Sequence, residues 1–228
     1  MITLKNIGKL VTQGGEVVAI LDAVDLAIDR GEFVVLGGPS GAGKSALLRI
    51  IGLVDRPSAG SYSLEGRETI GLGDRELAGI RSGYFGFLFR KGNLLPELGV
   101  LDNVVLPMRY ANMPRHLRSR RARELLERAG FARRPDTPLA ELGNDEAQRV
   151  AIARALANDP AILLADEPTG ELSPAAAKAI LELLAALNRE GLTILMATHD
   201  PSLASFGTRA LDMSEGRIKA PPGPGKGG

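Results

Sequence analysis

Apolar residues in this chain come in short, separate runs. Phe33-Val34-Val35-Leu36, residues 161–165 (Ala-Ile-Leu-Leu-Ala) and residues 192–197 (Leu-Thr-Ile-Leu-Met-Ala) have the length and branched content of buried strands. Tyr84-Phe85-Gly86-Phe87-Leu88-Phe89 reads as a further core strand, because aromatic side chains suit a pleated surface. Between the last two apolar runs, residues 175–188 follow a helical pattern, so strand, helix and strand form a parallel βαβ unit. Nearer the start, residues 17–21 and 24–28 read as two short strands, closed by the turn Asp29-Arg30-Gly31-Glu32. Residues 61–66 add another strand of the same small antiparallel element, followed by a helical stretch at 74–80.

From Arg90 to about Asp159 the pattern changes to helices broken by proline and glycine, as in a helical insertion. Residues 115–134 are strongly basic, with Leu117, Leu125, Leu126 and Ala129 on one stripe. That segment reads as a solvated amphipathic helix, with a nucleic-acid or anionic-lipid patch as the alternative; no aromatic platform is interleaved with its arginines. These patterns divide the chain into residues 1–89, a helical part at 90–160, a second core part at 161–218 and a Pro- and Gly-rich tail at 219–228, which is expected to be disordered.

The first chemistry lies where a strand pattern gives way to a helix pattern. Gly38-Pro39-Ser40-Gly41-Ala42-Gly43-Lys44-Ser45 follows residues 33–36 and precedes the helical residues 46–51. This is the setting of a phosphate-binding loop, in which glycines let backbone N–H groups converge on phosphate oxygens at a helix N-terminus. Lys44 is placed to hold the β and γ phosphates and the Ser45 hydroxyl to ligate Mg²⁺. A nucleoside triphosphate and its magnesium are therefore expected together.

Residues 161–165 run directly into Asp166-Glu167-Pro168, which puts two acids at the carboxyl end of a parallel strand, where ligands of α/β sheets bind. Asp166 is expected to hold Mg²⁺ through water, and Glu167 to orient or deprotonate the attacking water. His199 follows the next strand through Thr198 and is read as a γ-phosphate sensor rather than a structural histidine; His116, within the basic helix, gets only a solvated role.

Composition narrows the picture little. Hydrophobic content is 44% and charged content 24%, ordinary for a globule of 228 residues. A net charge of +1 gives no field that argues for nucleic acid, and the absence of cysteine excludes disulfides and thiolate metal sites. No segment of signal-peptide or membrane-span character is found, so a cytoplasmic location is expected, with any membrane role coming through a partner.

The order of phosphate loop, Asp166-Glu167-Pro168-Thr169-Gly170 and Ala197-Thr198-His199-Asp200 resembles the nucleotide-binding subunit of ABC transporters. Asp55-Arg56-Pro57-Ser58-Ala59-Gly60, Asn93-Leu94-Leu95-Pro96, Asn103-Val104-Val105-Leu106-Pro107 and residues 148–156 are similar to the lipoprotein-releasing and macrolide-export branch. The resemblance implies an α/β P-loop NTPase (RecA-like) core with a parallel sheet, a small antiparallel β subdomain and a helical insertion. It also implies an ATPase with ATP and Mg²⁺ as cofactors, peripheral at the cytoplasmic face through a membrane permease, and paired with itself or with another ABC ATPase subunit. Residues 94–107 would be the surface facing the permease. No nucleic-acid partner is expected.

Several positions depart from the family pattern. Where the family has L-S-G-G-Q, whose amides and serine hydroxyl contact the γ-phosphate held by the opposite subunit, this chain has Leu142-Gly143-Asn144-Asp145-Glu146. A carboxylate at Asp145 would repel that phosphate: two unit charges at 4 Å interact by about 4 kcal/mol at an effective dielectric of 20, against roughly 0.3–1 kcal/mol of attraction to a helix N-terminus. Asp145 could equally cap a helix covering residues 147–158. Arg90 replaces the family's metal-contacting glutamine and has no lone pair to offer a metal, although it could pair with phosphate. Ser173 stands at the position of an aspartate that communicates between sites, Ala46 where threonine is common, and Val11 where an aromatic ring stacks on adenine. A self-pair should hydrolyse slowly. A partner with an intact signature could complete one site, and a regulatory or structural subunit that binds ATP with little hydrolysis is the alternative reading.

Overall fold

A computed structural model describes residues 1–219 and divides them into two compact units, Met1–Leu77 together with the described residues from Leu195 on, and Ala78–Ile194. Of the tail expected at 219–228, residues 220–228 lie outside the described residues, and Lys219 is the last residue of a strand rather than part of a disordered tail.

In the first unit, β1 (Ile2–Gln13), β2 (Glu16–Ile28), β4 (Ala59–Leu64) and β5 (Arg67–Glu68) form an antiparallel sheet in the order β2-β1-β4-β5. The two short strands expected at 17–21 and 24–28 are one continuous strand. The Asp22-Ala23 step between them marks an irregularity rather than a break: Ala23 adopts a φ of 48°, and the β1 register shifts between Ile7, opposite Val24, and Lys9, opposite Leu21. β1 itself was not anticipated, because beyond the buried Ile2, Leu4 and Ile7 its alternation is interrupted by a bulge and by exposed residues.

The same unit holds β3 (Phe33–Gly37), α1 (Lys44–Ile51), β9 (Arg209–Ser214) and β10 (Arg217–Lys219), with strand order β10-β9-β3 continuing to β8 (Thr193–Ala197), inside which the division between the units falls. β3 runs parallel to β9, and β10 returns antiparallel. Phe33, Val34, Leu36, Leu47, Ile50 and Ile51 are buried, which anchors both ends of the loop between β3 and α1.

The second unit contains α2 (Asp74–Tyr84) from Ala78 on, β6 (Phe85–Phe89), α3 (Val100–Tyr110), α4 (Arg115–Arg128), α5 (Asn144–Ala155), β7 (Ile162–Asp166) and α6 (Pro174–Arg189). β6, the core strand expected at 84–89, runs parallel to β7, and Phe89 lies opposite Asp166. The basic helix is α4. It is shorter than the basic segment, and its Ala122, Leu125 and Leu126 are buried while most of its arginines face outward. Among the described residues no helix is long and apolar enough to cross a membrane.

Candidate functional site

The phosphate loop leaves β3 through a backbone shape that only glycine tolerates. Gly38 has a φ of 138°, and a Cβ there would lie 2.1 Å from the Met213 carbonyl oxygen. Gly43 has a φ of 101°, and its Cβ would meet the Ile20 oxygen at 2.7 Å. Between them Gly41 turns at a φ of 81° with open space around it, so the loop is fixed at both ends and open at its crest. α1 begins at Lys44 with Gly43 as its N-cap; no side chain caps this helix and its first turn carries no acid. Donor groups at its start and the positive end of its dipole are thus not answered by a carboxylate of its own turn.

Lys44 is only 6% exposed, and its Nζ donates to the Gly38 oxygen at 2.6 Å and the Pro39 oxygen at 3.0 Å. The ammonium is held under the loop by carbonyls, poised to exchange them for an anion. Ala42 is buried, whereas Pro39, Ser40, Gly41 and Ser45 are exposed, which leaves the Ser45 hydroxyl accessible to a ligand. These residues fit a triphosphate: the loop packs too closely on Ile20 and Met213 for a side chain at Gly38 or Gly43, its crest at Gly41 is open, and a cation lies beneath it.

His199 is also in the first unit. The buried Thr198 donates its backbone N–H to the Leu36 oxygen at 3.0 Å, next to the start of the loop, and its Oγ1 accepts the Asp200 N–H at 3.1 Å. His199 is exposed and, with Gly38, Pro39, Asp200, Asp212 and Lys219, lines a cavity of about 660 Å³. Asp200 accepts from the Ser202 N–H at 2.9 Å; the Ser202 side chain first, this backbone bond second and His199 to a smaller extent hold its carboxyl below the usual carboxylate range. Val11 is on a different part of the unit, opposite Val18 in the β1–β2 hairpin, with Leu10, Val17 and Val18 exposed beside it, and it does not line this cavity.

The second unit holds the acids. Asp166 ends β7, and Glu167 follows with a φ of 50°, a left-handed conformation uncommon for a residue with a side chain. The turn is closed by the Gly170 N–H donating to the Glu167 oxygen at 3.1 Å. Gln148, buried on α5, donates through Nε2 to the Pro168 oxygen at 2.7 Å and the Phe89 oxygen at 3.1 Å. It ties the acid-bearing turn to the end of β6. Only its membership of a motif singled out Gln148 in the sequence; a polar residue on a buried helix face was the available signal.

Asp145 does not cap a helix starting at residue 147. α5 begins three residues earlier, at Asn144, with Gly143 as N-cap, and the capping carboxylate is that of Glu146, which accepts the Gly143 N–H at 3.0 Å. The spacing explains this, because a carboxylate at the third helical position reaches back to the cap and one at the second does not. Arg133 donates to the same carboxylate at 2.5 Å; the Gly143 N–H first and Arg133 second hold Glu146 below the usual range. Asp145 folds back too, its Oδ1 only 3.0 Å from where a Cβ on Gly143 would stand. Arg90 is paired within its own unit: Nη2 donates to the Gly170 oxygen at 3.3 Å, and Nε lies 3.6 Å from Glu171. Ser173 caps α6, its hydroxyl accepting the Ala176 N–H at 3.3 Å.

Residues 94–99 are pinned by Asn103, which is fully buried on α3. Its Nδ2 donates to the oxygens of Leu95, Leu98 and Gly99, and its Oδ1 accepts the Leu95 N–H. A cavity of about 650 Å³ in this unit is lined by Phe87, Phe89, Leu106, Pro107, Tyr110 and Arg154, among others, and Tyr110 is 77% exposed.

The family profile described as "ABC transporter" matches residues 21–170 of this chain. A second profile, described as "AAA domain, putative AbiEii toxin, Type IV TA system", matches residues 147–205. The chain is 43% identical to the macrolide export ATP-binding/permease protein MacB 1/2 of Paracoccus denitrificans (strain Pd 1222), over 99% of its own length and 35% of the relative's. It thus spans about a third of that relative. It is likewise 43% identical to the uncharacterised ABC transporter ATP-binding protein YknY of Bacillus subtilis (strain 168), covering 96% of this chain and 95% of that one. Among solved structures it is similar to the dimer of MJ0796, a bacterial ABC transporter cassette, with a TM-score of 0.90 and 42% identity over 96% of this chain and 97% of that one. A post-hydrolysis dimer of the same cassette, bound to ADP and Pi, matches with a TM-score of 0.89 and 40% identity over the same shares.

Proposed function

The chain belongs to the ABC transporter family and is an ATPase domain of that family, and from that premise we propose that it binds Mg-ATP on residues 38–45 and couples its hydrolysis to a membrane permease, in export or lipoprotein release, from the cytoplasmic face. The observation that carries the reading is the cradle between Gly38 and Gly43 with the buried ammonium of Lys44 beneath it.

In this reading Lys44 leaves the Gly38 and Pro39 carbonyls for the β and γ phosphates, and loop N–H groups take the remaining phosphate oxygens. Ser45 and Asp166 hold the magnesium, which neutralises phosphate charge when bound. One hydroxyl and one carboxylate suit an ion that shares its shell with waters and substrate phosphates. Glu167 orients or deprotonates the attacking water, and His199 senses the γ-phosphate. Val11 gives the base an aliphatic contact in place of a stacked ring. Calorimetric titration with Mg-ATP tests the reading: saturable binding that is at least about tenfold weaker in Lys44→Ala supports it, and heat independent of Lys44 contradicts it.

The exposed aromatic and apolar lining around Phe89, Leu106 and Tyr110, beside the segment pinned by Asn103, suits the cytoplasmic segment of a permease. Whether that permease is a separate subunit or part of a longer polypeptide, the surface required is the same. Introducing aspartate at both Leu94 and Leu95 is expected to abolish recruitment to permease-containing membranes while ATP binding persists; unchanged recruitment would move the interface elsewhere.

The first turn of α5 favours a second element of the reading. With Glu146 capping Gly143 and Asp145 folded beside it, this turn offers carboxylates where a γ-phosphate of an opposing subunit would dock. A self-pair therefore turns over slowly, and a partner ATPase with an intact signature completes the site built on Lys44, Asp166, Glu167 and His199. At the far end of this reading the chain is a nucleotide-responsive regulatory subunit.

A further inference from the structure

The register of β6 and β7 places Phe89 opposite Asp166, so Arg90 and Glu167 leave neighbouring strands at the same level. Gln148 fixes the two chains at their buried side through the Phe89 and Pro168 carbonyls. The turn that follows has a left-handed residue, Glu167, at its head, a conformation that persists only where the surroundings hold it.

Three side chains from outside the turn grip its exposed side. Arg90 lies flat across Gly170, with Nε 2.9 Å and Cγ and Cδ 3.4 Å from where a Cβ would stand, and its Nη2 donates to the Gly170 oxygen at 3.3 Å. Two cations converge on one carboxylate oxygen of Glu171, Arg90 Nε at 3.6 Å and Lys91 Nζ at 3.7 Å. Asn144, from the first turn of α5, donates to the Glu171 backbone oxygen at 3.2 Å. A glutamine at position 90 would carry no charge to meet Glu171, so the positive residue and the acid make sense as a pair.

We propose that Arg90 and Glu171 form a positioning pair that holds the turn at residues 166–171, and through it the Glu167 carboxylate, in the geometry hydrolysis needs. The proposal rests on the reading of Glu167 as the residue that activates water. Arg90 acts here through the backbone of the turn and not on phosphate or metal. The pair is partly exposed, Arg90 at 52% and Glu171 at 32%, so its effect is modest and weakens with salt.

The test is a charge exchange in the full chain: Arg90→Glu, Glu171→Arg and the double variant, each read by kcat and KM for ATP and by amide exchange of residues 166–172. Each single change is expected to lower kcat about fivefold with KM within about twofold, and to speed exchange at Gly170, while the double variant returns both toward the parent. Arg90→Lys should keep most of the effect. Thermal unfolding midpoints of all variants identify any that fail to fold, in which case Arg90→Gln and Glu171→Gln replace the reversals. Singles that leave kcat and exchange unchanged, or a double no better than the singles, would overturn the pair. Glu167→Gln separates the two claims: if it abolishes turnover while the charge exchange does nothing, the pair alone fails, and if it leaves turnover intact, the hydrolytic reading fails and takes the positioning role with it.

Discussion

The first turns of α1 and α5 start from similar ingredients, a glycine N-cap and a run of donor N–H groups, and end in opposite chemistry. α1 carries no acid in its first turn, has no side-chain cap, and keeps a buried lysine beneath the loop that precedes it. α5 carries Asp145 and Glu146, and the second of these closes its own cap. One helix start is left without a carboxylate of its own, whereas the other is answered by its own side chains. The difference teaches that a helix N-terminus becomes an anion site only where sequence withholds a local carboxylate.

The largest expected effect concerns Glu167. Glu167→Gln should lower phosphate release by about 10²–10⁴-fold, the range for loss of a general base, with ATP binding retained. Next, Lys44→Ala removes charged hydrogen bonds worth about 1.5–3 kcal/mol, so ATP affinity measured by calorimetry should fall about 10- to 150-fold. The comparison itself is broken by rebuilding the first turn of α5. Replacing residues 143–146 together by Ser-Gly-Gly-Gln should raise turnover of the chain acting on itself by about tenfold to a hundredfold, because it supplies donors and removes two carboxylates. The four changes belong together: Gly143→Ser alone brings a Cβ to 3.0 Å from Asp145 Oδ1.

The smallest effect is one of acidity. The Glu146 carboxyl is held low by Gly143 and Arg133, so its contribution to the start of α5 is full above the unfolded carboxylate range near 4.3 and is lost as pH falls through its lower folded value. The protection of amides at the start of α5, taken relative to their intrinsic exchange rate at each pH, should be steady from pH 7 to 5 and fall only in acid. In Glu146→Gln that acid dependence should vanish.

The phosphate loop was legible in sequence because its glycines, lysine and flanking patterns sit within a few residues of one another. The core strands were legible for a similar reason, since residues 33–36 and 162–165 are buried and read as unbroken apolar runs. β1 was not, because its bulge breaks the alternation that identifies a half-buried strand. The start of α5 was misplaced by three residues: the sequence shows two adjacent acids, and only the third-position geometry decides which one caps. The grip of Gln148, Arg90 and Asn144 on the acid-bearing turn depends on contacts between positions far apart in the chain, which no local pattern encodes.

The most direct measurement follows Mg-ATP binding and phosphate release together in the unmodified chain without any partner. Saturating, Lys44-dependent binding accompanied by turnover well below the roughly 1 per second at the low end of ordinary enzymes is the predicted result. Turnover above that rate, unaffected by rebuilding residues 143–146, would contradict the division between the two helix starts.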